Sequence, residues 1–388
     1  MMKKPFAVFA VSVLWIVLLL AGCGGKNSSS PLVSNPSTTP PEDRTISGVV
    51  SGLTVTGMVL QNNNADDLLV TAGSTTFSFA TKIQDGATYS VTVATHPSTT
   101  AQYQACVVQN GTGTVNNADV TNVLVTCTTS TWEILATPTH AVGFSDYTPA
   151  GKSVLYSLSA SAISVFSFPT STNPQGIFSN LTGTVSLNEF IGPAWVGNKL
   201  YQTEGNAVYI YDITGNNWTK SGTLTYIHGS SRCTADNSGY VYSMGTTTQL
   251  LKFNTADSTF QYIKGPDDLA FDESRAAWDS KTARVYLGNY GSSIFYAFNP
   301  ADGSFAALAP VPGTDAMSDA LCSDRRGHVF TSNTGGTEIW MYTAATNSWS
   351  LFPSTSFTHQ DSESCTVSAD GWLYYGSGSS SLGRFKIF

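Results

Sequence analysis

The chain has 388 residues, of which 12% are aromatic and only 11% charged, with 34 glycines. So little charge excludes a disordered acidic or basic tail, which would carry few aromatics, and argues against a helix bundle, whose exposed faces are rich in Glu, Lys and Arg. The formal charge of −8 has the wrong sign for binding nucleic acid by counterion release, and no basic cluster overrides it.

Residues 1–22 place Lys3 and Lys4 before an apolar run from Phe6 to Leu20 and small residues after it. That is the layout of a secretory signal peptide, and the run is short for a membrane crossing of about 20 residues. Leu20-Ala21-Gly22-Cys23 resembles the lipobox of bacterial lipoproteins. The resemblance implies cleavage before Cys23, acylation of its thiol and new amino group, and attachment to a membrane through those chains. Gly24 follows the cysteine where Asp would favour the inner membrane, so the resemblance points to the outer membrane of the cell envelope. Residues 23–44, rich in Ser, Thr, Pro and Asn, read as a flexible tether.

Residues 45–128 alternate in short β segments at 46–50, 57–60, 68–70, 75–80 and 89–94, with turn residues at 62–67 and 84–86. The spacing predicts a small β-sandwich. Cys106 and Cys127 fall near its last strands, and export makes their oxidation to a disulfide the expectation. Asp66-Asp67 is an ordinary hairpin turn and lacks the oxygen set of a calcium site. The stretches at 45–63, 106–115 and 120–127 resemble an immunoglobulin-like module of exported bacterial proteins. That resemblance implies a spacer with no catalytic residue.

Residues 129–388 repeat. An apolar–aromatic pair ends at Tyr156, Tyr201, Tyr242, Tyr286, Phe330 and Tyr374, with a period near 44. Several copies have an Asp upstream, as at Asp236, Asp324 and Asp370, and a strand downstream that leads to a turn and Trp218, Phe305 or Trp349. About four short strands per unit predict a six-bladed β-propeller. The last unit lacks a fourth strand, whereas Thr129 to Leu135, with Trp132, matches the fourth strand around Trp349. The earliest strand is therefore expected beside 383–387, sealing the ring. The units resemble Kelch-type propellers in Tyr211-Asp212 with Asn216-Asn217-Trp218. They are similar to NHL and streptogramin-lyase-type propellers in Asp236 to Tyr242. The Kelch double glycine is missing from most copies, and Gly335-Gly336 lies in a loop.

Cys233, Cys322 and Cys365 come at nearly equivalent places in three units. Inner strands of neighbouring blades diverge, so these are expected as buried, unbridged side chains. No Cys-x-x-Cys or His-x-x-x-His pattern predicts a metal, and no nucleophile elbow, P-loop or dinucleotide fingerprint predicts a cofactor.

The segments that lead into the inner strands carry most of the scarce charge: His228, Arg232, Glu273, Arg275, Asp315, Asp319, His359, Asp361 and Glu363. Glu189 and His140 come from the other two units. Arg232, Arg275, Asp319 and Glu363 are expected at corresponding positions, facing one opening. The arginines could clamp a carboxylate or sugar acid, with His228, His359 or one of the acids moving a proton. Equally, opposite charges could pair across the channel and hold the blades in register. The reading is a lipid-anchored, non-catalytic envelope protein that recognises a protein or glycan. The alternatives are a lyase, hydrolase or epimerase working at the channel, and a structural subunit of an envelope complex.

Overall fold

The computed structural model describes residues 42–135, 143–152, 154–159, 162–167, 169–174, 176–181, 192–226, 232–245, 248–269, 274–313, 317–318, 320–333, 335–358, 364–377 and 381–388. The signal sequence, Cys23 and most of the tether lie outside them. The tether's expected end is corrected: Asp43–Arg44 forms a short strand against Ile83–Gln84. Among the described residues the only helix is a single 3-10 turn, Asp267–Leu269. The protein is all-β.

Residues 46–130 build two four-stranded sheets. One runs Thr76–Ser78, Ile46–Ser51, Val120–Ser130, Tyr103–Gln109; the other runs Asp66–Val70, Met58–Asn62, Thr88–Thr95, Thr112–Thr114. Alternation explains them. Ile46 and Val50 point inward from one strand and Met58 and Leu60 from another, meeting Val91, Val123 and Val125 in one core. The central pair is parallel, Val49 opposite Leu124. It packs so closely that a Cβ on Gly48 would lie 2.0 Å from the Val123 carbonyl oxygen, so only glycine fits. The hairpin at Asn63 and Asn64 takes left-handed φ values of 51° and 57°, which asparagine tolerates. Cys106 and Cys127 face each other across antiparallel strands and are bonded at 2.07 Å.

Six sheets follow. Four have the same four-strand order, inner to outer, beginning at Ala194–Val196, Thr234–Ala235, Ser274–Asp279 and Leu321–Ser323. The first has three strands, Val154–Ser159, Ala162–Ser167 and Ile177–Leu181. Its own innermost segment, Tyr147–Thr148, pairs in parallel with Ser364–Ser368 of the last sheet. Each inner strand lies against the next in chain order. The last sheet gains an outer strand from far upstream: Glu133 sits opposite Arg384 and Ile134 opposite Gly383. Arg384 binds Glu133 at 2.6 Å.

Repeated side-chain chemistry makes the repeated turns. Where strands three and four meet, Asn216 and Asn347 adopt φ of 47° and 46°. Tyr211 and Tyr342 donate their hydroxyls to those asparagines at 2.6 and 2.9 Å. Trp349 Nε1 donates to the Ala309 carbonyl at 2.9 Å, just past the outer strand of the preceding sheet. Trp132 does the same to Pro353 at 2.9 Å. The tryptophan that marks a fourth strand in the sequence thus makes the same bond in both places. Between the sheets, aromatic and aliphatic side chains such as Tyr201, Phe253, Leu287, Phe298 and Phe330 are almost fully buried, each worth about 2–3 kcal/mol of transfer free energy.

Residues 42–388 form one compact unit. The small module is packed on the last two sheets: Tyr103 is buried among Phe330, Phe352 and Phe385, and its hydroxyl donates to the Ile387 carbonyl at 2.6 Å. The arrangement is a propeller-like all-β fold.

Candidate functional site

In these antiparallel sheets the segments that lead into the inner strands share one end with the turns between strands two and three. The turns between strands one and two share the other. The sequence placed its candidates at the first end. His228, Glu273, Asp315, Asp319, His359, Asp361 and Glu363 lie outside the described residues, as do Glu189 and His140. Arg232 and Arg275 are described, and both are buried.

The register corrects one part of that expectation. Thr234 pairs with Tyr242, Ala277 with Tyr286, Cys322 with Phe330 and Thr366 with Tyr374. Counting back two residues from each makes Arg232 and Arg275 equivalent to Ala320 and Ser364. By that count Asp319 and Glu363 each fall one residue short of the position, and both lie outside the described residues. What stands opposite Arg232 is Ser364, whose Oγ accepts from Arg232 Nη1 at 2.6 Å and from the Phe144 N–H at 2.6 Å. This bond joins the sheet that begins at Thr234–Ala235 to the last sheet.

The cysteine expectation is also corrected. Cys322 and Cys365 are bonded at 2.03 Å with Cα atoms 5.7 Å apart. Their inner strands run close together at this level, although strands of neighbouring sheets splay further out. Cys233 is the free, buried thiol among the described residues. Burial pushes its pKa up, against the opposing pull of hydrogen bonding with Thr203.

At the opposite end sits a cluster that sequence reasoning missed. Asp146, 5% exposed, precedes the inner segment Tyr147–Thr148. Its Oδ2 accepts from Thr234 Oγ1 at 2.7 Å, the Trp278 N–H at 3.1 Å and Arg325 Nη2 at 3.2 Å. One carboxylate thus joins inner strands or turns of four sheets. Burial pushes its pKa up, and the guanidinium of Arg325 together with the hydrogen bonds pulls it partly back. Arg325 also donates Nη1 to the Ala235 carbonyl at 3.1 Å and lies 4.8 Å over the Tyr147 ring. Its backbone is left-handed at φ 62°, a conformation that costs a non-glycine residue about 1–3 kcal/mol and gathers at functional sites.

The turns around it are held by aspartates. Asp236 accepts from the N–H groups of Ser238 and Tyr240 and from the Tyr242 hydroxyl. Asp279 accepts from the N–H groups of Thr282 and Gly327. Asp324 takes His328 Nδ1 at 2.7 Å. Burial would push Asp324 up, but His328 beside it and the backbone N–H groups outweigh burial and hold its carboxyl low.

A cavity of about 250 Å³ opens here, with Tyr147, Trp195, Asp236, Asn237, Ser280 and Arg325 in its wall. Among the described residues, the buried indole N–H of Trp195 and the Nε–H of Arg325 have no acceptor. Lys152 lies 5.4 Å from the Trp195 ring and donates to Asn198 at 2.6 Å.

No family model and no curated protein matches this chain. Among solved structures it is similar to a structural-genomics protein of unknown function from Bacteroides thetaiotaomicron, with a TM-score of 0.51 at 10% identity. The match covers 91% of this chain and 99% of that one, more than the six sheets alone span. It is also similar to a chain of a nidogen/laminin complex, at a TM-score of 0.46 and 12% identity over 57% of this chain and 93% of that one. The likeness is of fold alone.

Proposed function

We propose that this chain is a lipid-anchored binding protein of the bacterial cell envelope. In this reading Cys23 carries the lipid, 45–128 is an immunoglobulin-like sandwich, and 129–388 is a six-bladed, Kelch- or NHL-like propeller. Its ring is sealed by the first strand on the last blade, which the pairing of Glu133 with Arg384 supports. The propeller recognises a protein or glycan.

The observation that carries binding over catalysis is the state of the cavity. The carboxylate in its wall, Asp236, and the one paired with its Arg325, Asp146, are spent on backbone, hydroxyl and guanidinium partners. The buried polar atoms of its wall left without partners are N–H groups of Trp195 and Arg325, which neither gain nor lose protons at physiological pH. Such groups hold a ligand; they do not transfer protons to it.

The enzyme reading draws on the other end, where Arg232 and Arg275 are buried at equivalent positions of adjacent inner strands and suit an acidic substrate. The two readings separate by experiment. Full-length protein is screened on a glycan array and by envelope pull-down, beside Asn237→Ala and Arg275→Lys variants. Binding at the cavity predicts loss with Asn237→Ala and retention with Arg275→Lys; the reverse pattern refutes it. The lipid is tested by mass spectrometry of the mature amino terminus, with Cys23→Ala expected to release the protein from membranes.

A further inference from the structure

We propose that the cavity beside Arg325 takes one neutral sugar ring, the terminal unit of a glycan, and discriminates against acidic sugars and peptide groups. This rests on the binding reading above and narrows it to a ligand class.

Size comes first. At about 250 Å³ the cavity falls below the roughly 300–1,000 Å³ of sites that enclose drug-sized ligands. It holds a single small unit and leaves the remainder of a chain outside.

Charge comes second. The wall contains one cation, Arg325, but Asp146 already lies 3.2 Å from its guanidinium, with its side chain 3% exposed. Asp236 stands in the wall as well. An anionic ligand would find the positive charge balanced by Asp146 and one further carboxylate, Asp236, in the wall, where low dielectric makes like charges costly. A neutral ligand meets no such cost.

Hydrogen-bonding pattern comes third. Trp195 and Arg325 offer N–H donors without acceptors. Asn237, in an exposed turn, offers both a carbonyl and an amide. Ser280 donates to the Arg325 carbonyl at 3.0 Å, which leaves its oxygen free to accept. Sugar hydroxyls donate and accept at once, so a polyol satisfies both kinds of group. A peptide group brings one donor and one acceptor at fixed positions, fewer than the several hydroxyls of a sugar ring. The wall also carries two aromatic residues, Tyr147 and Trp195, amphipathic surfaces suited to the C–H faces of a sugar ring.

The test uses the full-length protein and saturation-transfer difference NMR. Probes are the methyl glycosides of glucose, galactose, mannose and N-acetylglucosamine, beside glucuronate, galacturonate and N-acetyl-glycyl-glycine amide. At least one neutral glycoside is expected to bind, and the uronates and the peptide amide are not. Trp195→Phe, which keeps an aromatic ring but removes the N–H, and Asn237→Ala, in an exposed turn, are each expected to weaken that binding about five- to tenfold. Unchanged circular dichroism shows that both variants fold. Binding of a uronate or the peptide amide in place of neutral glycosides overturns the sugar assignment and leaves the binding reading standing. Binding of a neutral glycoside that neither variant weakens overturns the site. Silence from every probe overturns this proposal, and the array and pull-down then decide separately whether the protein binds at all.

Discussion

Asp146 is the most informative residue to remove. Alanine there deletes the shared acceptor of Thr234, Trp278 and Arg325. Trp278 keeps a second acceptor, Thr234 Oγ1 at 2.8 Å, so the loss falls mainly on Arg325. Its side chain is 15% exposed, and breaking a buried pair by deleting one partner costs about 3–5 kcal/mol because the other charge is left uncompensated. Residual solvent around Arg325 places the expected cost near the lower figure, about 3 kcal/mol. Arg325→Ala keeps the left-handed strain, since alanine shares the penalty, whereas Arg325→Gly relieves it. Urea unfolding of Asp146→Ala, Arg325→Gly and the double variant forms a cycle. The double variant is expected to be at least about 1.5 kcal/mol more stable than the sum of the singles predicts. If each single change costs under about 0.5 kcal/mol and the two add, the pair does not hold the sheets together as argued.

Three further outcomes follow from the geometry. The Cys322–Cys365 bridge spans 43 residues, so replacing both with Ala is expected to cost about 4 kcal/mol on the chain-entropy account; alkylation of unfolded, unreduced protein should modify Cys233 and spare Cys106, Cys127, Cys322 and Cys365. Tyr103→Phe loses only the bond to Ile387 and should lower stability by about 1 kcal/mol in urea melts, and no loss would mean the small module is not held there. His96 accepts the Cys106 N–H at 3.0 Å and its pKa is lowered to about 4, by burial first and by His328 and Arg326 next, against Asp324. Because the folded state then binds fewer protons than the unfolded one, His96 favours folding fully above its ordinary pKa of 6.5, and that advantage fades as pH falls from 6.5 to 4. The loss approaches about 3 kcal/mol at the acid end, and His96→Gln should flatten the stability–pH curve over that interval.

The all-β class and the repeated sheets were legible because strand alternation and aromatic turns recur at fixed distances, and Tyr211 with Asn216 repeats Tyr342 with Asn347 bond for bond. The equivalence of Arg232 and Arg275 was legible for the same reason. Asp319 and Glu363 fall one residue short of that position in the count, an offset to which lead-in loops of unequal length are prone. Asp146 was invisible because it belongs to no repeat: its partners lie 88, 132 and 179 residues away. Arg325 read as part of an ordinary turn, since nothing in Asp324-Arg325-Arg326-Gly327 announces which arginine turns inward. The Cys322–Cys365 bridge was missed because the splay of adjacent sheets was applied to their innermost strands, where the backbones are still close.

The seating of Tyr103 has a mechanical consequence. Only Thr131 and Trp132 separate the strand Val120–Ser130 from Glu133–Ile134, so there is no hinge of useful length between the small module and the sheets. Force applied to the module passes directly to the ladder of Glu133–Ile134 against Arg384 and Gly383, with the Tyr103 anchor sharing the load. The module then works as a rigid handle, and the cavity's orientation is set by whatever grips that handle.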